Sequence, residues 1–151
     1  MAKVGKNLIK KNKFQIGKDL EVEKFIYEIT KEIWENKNIN SIYNYYEKDV
    51  IVRSPRSTTY KCKDVIDSTK ETLSQFPNRQ LIGEDVIWSG DNKNGILSSH
   101  RILSTATHKG NGFYGKSTGK NIIYRVIADC FIIDNMVVEE WIVRDESAIL
   151  N

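Results

Sequence analysis

The stretch from Asn121 to Ile133 reads N-I-I-Y-R-V-I-A-D-C-F-I-I, and it sets charged side chains in strongly apolar company. Successive residues of a strand point to opposite faces. Arg125 and Asp129 therefore share a face with Ile123, Ile127, Phe131 and Ile133, while Ile122, Tyr124, Val126, Ala128, Cys130 and Ile132 take the other. Burying either charge costs several kcal/mol unless it is paired, hydrogen-bonded or neutralised. Two readings stay open. One is a structural Arg125–Asp129 ion pair. The other is an aspartate in an apolar cavity, its pKa raised into the range useful for proton transfer.

The segment Met136 to Arg144 poses the same question. Glu139, Trp141, Val143 and Asp145 alternate onto one face, and Glu140, Ile142 and Arg144 onto the other. The pattern leaves open which of the two lines an interior. On the run from Ile96 to His108, His100 shares a face with Ile102, Ser104, Ala106 and His108. A strand histidine is either a satisfied core group or, because it titrates near neutrality, a catalytic one. Two histidines and scattered acids make no HExxH-type signature, so no metal is expected. No GxSxG elbow, Rossmann fingerprint or P-loop occurs. Cys62 and Cys130 read as small packing residues. Tyr43, Tyr45 and Tyr46 either pack a short helix onto the sheet or rim a pocket with their polar tips.

The elements that must position these residues follow from periodicity. Val22, Phe25, Ile26, Ile29 and Ile33 form one helical stripe between Asp19, an N-cap, and Asn36. A short helix is expected around Ile39 to Tyr46, and a strand over Asp49 to Arg53 before Pro55. Lys63 to Phe76 returns to the helical period and stops at Pro77. Strands are then expected over Gln80–Trp88, Ile96–Thr107, Asn121–Ile133 and Met136–Arg144. The turn clusters are 89–95 and Asp134-Asn135, and a glycine-rich hairpin loop spans Lys109 to Lys120. Helices followed by an antiparallel meander define the α+β class.

Composition narrows the function classes. The chain has 151 residues, two cysteines and a net charge of +3, with no apolar run of membrane-spanning length. Lys3, Lys6, Lys10, Lys11, Lys13 and Lys18 precede the first acid, Asp19, so residues 19–151 carry 17 basic against 20 acidic side chains. The positive charge belongs to a leading arm over residues 1–18, read as a solvated terminus rather than a nucleic-acid contact. It has no continuous apolar signal region, and the expected location is cytoplasmic.

With Phe76-Pro77, Gly83-Glu84-Asp85-Val86, Thr107-His108-Lys109-Gly110, Thr118-Gly119-Lys120 and Glu139-Glu140-Trp141 with Asp145, residues 20–150 resemble the SnoaL-like polyketide cyclases of the nuclear transport factor 2-like superfamily. The sequence departs from that pattern at Cys62, where glycine is common, and at Asn78, where aspartate often follows the proline. The resemblance implies a cone of curved antiparallel sheet closed by N-terminal helices over residues 19–151, a deep apolar pocket and cofactor-free acid/base chemistry. In such cyclases an aspartate takes a proton α to a carbonyl, and the enolate closes a ring. By strand position the candidate base is Asp129, with Arg125 or His100 as its orienter or enolate stabiliser and Asp145 as the rival base. The substrate-binding residues expected are Trp141, His108, Glu140, Tyr46 and Phe131. A homodimer built through the outer sheet face is also implied. The expected partner is a hydrophobic small molecule, either converted or, in the alternative reading, simply bound.

Overall fold

The computed structural model describes residues 15–16, 20–91 and 93–150, with side chains from Val22 onward. The lysine arm and the Asp19 cap fall outside the described residues, apart from a two-residue strand, β1 (Gln15–Ile16), paired with β2 (Leu20–Glu21). Helix α1 (Val22–Thr30) runs on into a wide turn, Lys31–Glu35. Its predicted stripe is buried as one row: Val22, Phe25, Ile26, Ile29 and Ile33. Each such side chain contributes on the order of 1.5–3 kcal/mol on leaving water. A tight turn, Ile39–Ser41, leads into α2 (Ile42–Tyr45), and β3 (Tyr46–Arg53) follows at once. Of the tyrosine cluster only Tyr46 is buried; Tyr43 stands in solvent.

The short strand β4 (Thr58–Thr59) precedes α3 (Cys62–Gln75). Four long strands complete the sheet: β5 (Gln80–Asp91), β6 (Gly95–Thr107), β7 (Asn121–Ile133) and β8 (Met136–Arg144). The curved sheet has the order β4-β3-β8-β7-β6-β5 and is antiparallel except where β3 lies parallel to β8. That pairing returns the first long strand to the far edge of the meander and brings Tyr46 over the β8 side chains. Asp134 and Asn135 both have positive φ, as the two-residue β7–β8 hairpin requires. A last helix, α4 (Glu146–Leu150), was not expected from periodicity. It is a single turn, too short for a hydrophobic stripe to announce it.

The glycine-rich loop 109–120 is stitched to the end of α3. Lys109 and Gly110 donate their N–H groups to the Gln75 carbonyl at 2.9 and 3.0 Å, and the Gln75 side chain accepts from the Tyr114 N–H at 3.1 Å. A Cβ on Gly110 would lie 2.0 Å from the Ser74 carbonyl oxygen, so only glycine permits this approach.

Candidate functional site

The alternation that left the faces of β7 and β8 undecided resolves as follows. Ile122, Tyr124, Val126, Ala128, Cys130 and Ile132 point under the helices, and Ile123, Arg125, Ile127 and Ile133 point outward. On β8, Glu140, Ile142 and Arg144 are the inward set. They line a cavity of about 180 Å³ between the sheet, α1 and α3. The inner face is built of side-by-side rungs. Ser98, Cys130 and Glu140 make one, His100, Ala128 and Ile142 the next, then Ile102, Val126 and Arg144, and finally Ser104 and Tyr124.

Glu140 is the acid of this cavity and is 7% exposed. Tyr46 donates its hydroxyl to Glu140 Oε2 at 3.2 Å, and the Cys130 thiol approaches Oε1 at 3.8 Å. Burial raises the Glu140 carboxyl from its ordinary 4.5 to about 7, against the hydrogen bonds from Tyr46 and Cys130, which favour the anion. The same burial, with Glu140 beside them, pushes the Tyr46 hydroxyl and the Cys130 thiol well up, so both stay protonated as donors. His100 is buried and packs T-shaped against the Tyr27 ring, at 5.3 Å between centroids. Desolvation pushes its pKa down to about 4, and its Nε2 has no hydrogen-bond partner. It is a neutral imidazole at ordinary pH.

The opposite end of the cavity is cationic. Arg79 is 4% exposed, donates from Nε to the Ser104 hydroxyl at 3.3 Å, and lies 4.4 Å over the Trp34 ring. Burial and the neighbouring Arg144 lower its pKa. Arg144 is held by Glu146 at 2.6 Å, and Glu146 also accepts the Tyr114 hydroxyl at 2.8 Å. Arg56 completes the rim, paired with Glu71 at 3.0 Å and 3.9 Å over the Phe113 ring.

The candidates read from sequence separate into three groups. Tyr46, His100 and Glu140 come together in the cavity. Arg125, Asp129, Trp141 and Phe131 lie on the outward face of the sheet. The Arg125–Asp129 ion pair, one of the two readings left open by the sequence, does not form: Arg125 binds Glu84 at 3.1 Å, as does Arg101, while Asp129 Oδ1 is buried with no hydrogen-bond partner. Trp141 lies beneath the Arg53 guanidinium. His108 is buried against Phe76 and contacts Thr118 Oγ1 at 3.2 Å, away from the residues lining the cavity. Asp145 caps α4, accepting from the Ser147 hydroxyl and the Ala148 N–H. Arg79 and Arg56 gave no signal in the sequence, since both sit in turns beside prolines. Arg144 was visible only as one of two possible alternations.

Among the described residues no cluster of His, Cys, Asp or Glu could hold a metal, and no described helix is long and apolar enough to cross a membrane. A curved α+β sheet roofed by helices over a cavity with an inward acid is the nuclear transport factor 2-like, or ketosteroid isomerase-like, architecture. The chain belongs to the SnoaL-like polyketide cyclase family, whose model matches residues 24–151. Its fold is shared with several solved structures. A putative SnoaL-like polyketide cyclase from Jannaschia is 12% identical, with a TM-score of 0.75 over 89% of this chain and 95% of the other. AclR, a putative hydroxylase from Streptomyces galilaeus, is 21% identical, with a TM-score of 0.71 over 85% and 77%. IdmH, a putative polyketide cyclase from Streptomyces antibioticus, is 16% identical, with a TM-score of 0.71 over 85% and 94%. No curated protein matches the sequence.

Proposed function

We propose that the protein is a cofactor-independent acid/base enzyme acting on a small hydrophobic carbonyl compound, with Glu140 as the base. The observation that carries this reading is a buried carboxyl facing the cavity, where burial pushes its pKa up to about 7. A base of that pKa is half-ionised near neutrality and strong enough to accept a proton from carbon. The Glu140 carboxylate takes the proton α to the carbonyl, and the electron pair moves onto the carbonyl oxygen as an enolate. His100, uncharged and on the adjacent rung, donates a hydrogen bond to that oxygen from a water-poor site. The enolate then attacks a second carbonyl, expels a β-hydroxyl, or takes the proton back at another carbon. These outcomes are aldol cyclisation, dehydration and isomerisation, and Glu140-H returns the proton. Tyr46 keeps the carboxyl oriented. Asp129 and Asp145 have no part in these steps, because neither side chain lines the cavity.

The alternative of a binding pocket without turnover expects any inward carboxylate to be locked by Arg125, which instead binds Glu84 on the outer face. Among the described residues Glu140 has no cation partner, which favours the enzyme reading. The test is deuterium uptake at the α-carbon of phenylacetone, a one-ring ketone, followed by NMR in heavy water. The wild type should accelerate exchange, and Glu140→Gln should lose at least about 100-fold of that acceleration. An unaltered rate in the variant overturns the assignment.

We also propose a homodimer through the outer sheet face, supported by exposed Leu97, Ile123, Ile127 and Val143 on its central strands and Ile82 on the edge strand β5. Sedimentation should report a dimer that Leu97→Asp with Ile123→Asp converts to a monomer; a wild-type monomer refutes it.

A further inference from the structure

The cavity is polarised. Its acid stands on the Ser98–Cys130–Glu140 rung, and Arg144 stands two rungs away on the same strand and face. Four residues of strand separate Glu140 from Arg144, about 13 Å at ~3.3 Å per residue. Arg79 sits one rung further on, tied to Ser104. The sheet wall between them is Ile102, Val126, Ala128 and Ile142, apolar apart from the neutral His100.

Arg79 is the unbalanced group. A guanidinium withdrawn this far from water ordinarily needs a carboxylate in contact. Among the described residues no ion pair involves Arg79: its neighbours are the Ser104 hydroxyl and the faces of Trp34 and Tyr124. The nearby acid, Glu146, is engaged with Arg144 and Tyr114. Arg144 instead adds a second positive charge beside Arg79. Two arginines served by one carboxylate leave net positive charge at this end of a lined cavity. Guanidinium groups are suited to planar carboxylates, which they bind through paired N–H donors.

We infer that the cavity takes a substrate bearing a carboxylate, which Arg79 and Arg144 hold at one end while the carbon to be deprotonated faces Glu140 at the other. The inference rests on the acid/base reading for the role of Glu140, but the carboxylate site stands on Arg79 and Arg144 alone. Volume limits the rest of the molecule. A cavity of about 180 Å³ is only somewhat larger than the ~150 Å³ that encloses benzene. The substrate class is therefore a one-ring or short-chain oxo acid, with its neutral apolar middle against Ile102, Val126 and Ile142. The arginines bind and orient substrate, and the proton moves at the far end.

Calorimetric titration with phenylacetate and with methyl phenylacetate, at pH 6, separates the carboxylate from its neutral ester. The wild type should bind the acid at least tenfold more tightly. Arg79→Met should erase that ratio and Arg79→Lys should keep part of it. Arg144→Met should also reduce the ratio and serves where Arg79→Met does not fold. Equal binding of acid and ester by the wild type, or an acid preference that survives both methionine variants, overturns the inference. The same titration on Glu140→Gln keeps the two readings apart. A retained preference together with unaltered deuterium exchange removes Glu140 as base and leaves the anion site intact. A lost wild-type preference with exchange still dependent on Glu140 does the reverse.

Discussion

Replacing Glu140 by Gln keeps the shape of the side chain and an acceptor for the Tyr46 hydroxyl, but removes the titration. In the folded protein the carboxyl holds its proton up to about 7, while in the unfolded chain it releases it near 4.5. Between those values the native state binds more protons than the unfolded state, so this group makes stability fall as pH rises. The shift corresponds to about 3 kcal/mol at pH well above 7, absent below 4.5. His100 acts in the opposite sense: its folded value near 4 lies below the ordinary 6.5, so it makes stability rise with pH over that window. From 4.5 to 6.5 the two slopes oppose each other, and the wild-type curve alone is nearly flat. The difference between variant and wild type removes the histidine. Urea denaturation at half-unit steps from pH 4 to 9 should show Glu140→Gln gaining on the wild type by about 1.4 kcal/mol per pH unit, levelling at about 3 kcal/mol. A difference that stays constant across this range means that the carboxyl titrates as an exposed one does. The reasoning from burial then fails, and with it the basis for Glu140 as a base at neutral pH.

Tyr46→Phe removes a hydrogen bond that favours the Glu140 anion, so the carboxyl should titrate higher than in the wild type, read from the side-chain carboxyl carbon by NMR. His100→Asn should gain on the wild type as pH falls from 6.5 to 4, by up to about 3 kcal/mol, leaving the opposite slope of Glu140 exposed in the variant's own curve, measured by urea denaturation against pH. Gly110→Ala should destabilise by about 1–3 kcal/mol in the same assay, because its Cβ would meet the Ser74 carbonyl oxygen and part the loop from α3.

Much of the frame was legible from periodicity. The spans Asn121–Ile133 and Met136–Arg144 and the α1 stripe agree with the structure, because an extended or helical backbone imposes its period on whatever row is buried. What alternation determines is which residues travel together: Arg125 with Asp129, Glu140 with Arg144. It is silent about which set turns inward, since both faces of β7 carry isoleucines and the outer one is apolar too. Only the tertiary structure decided that. Helices α1 and α3 lie over the Tyr124–Cys130 side, so the row holding Asp129 faces out and Glu140 becomes the buried acid. Arg79 lies still further from prediction. As one residue in a turn after Pro77 it reads as a surface charge, and it is buried because Trp34, from the wide turn that follows α1, closes over it. Burial of a lone residue depends on contacts distant in the chain, and local sequence carries no record of them.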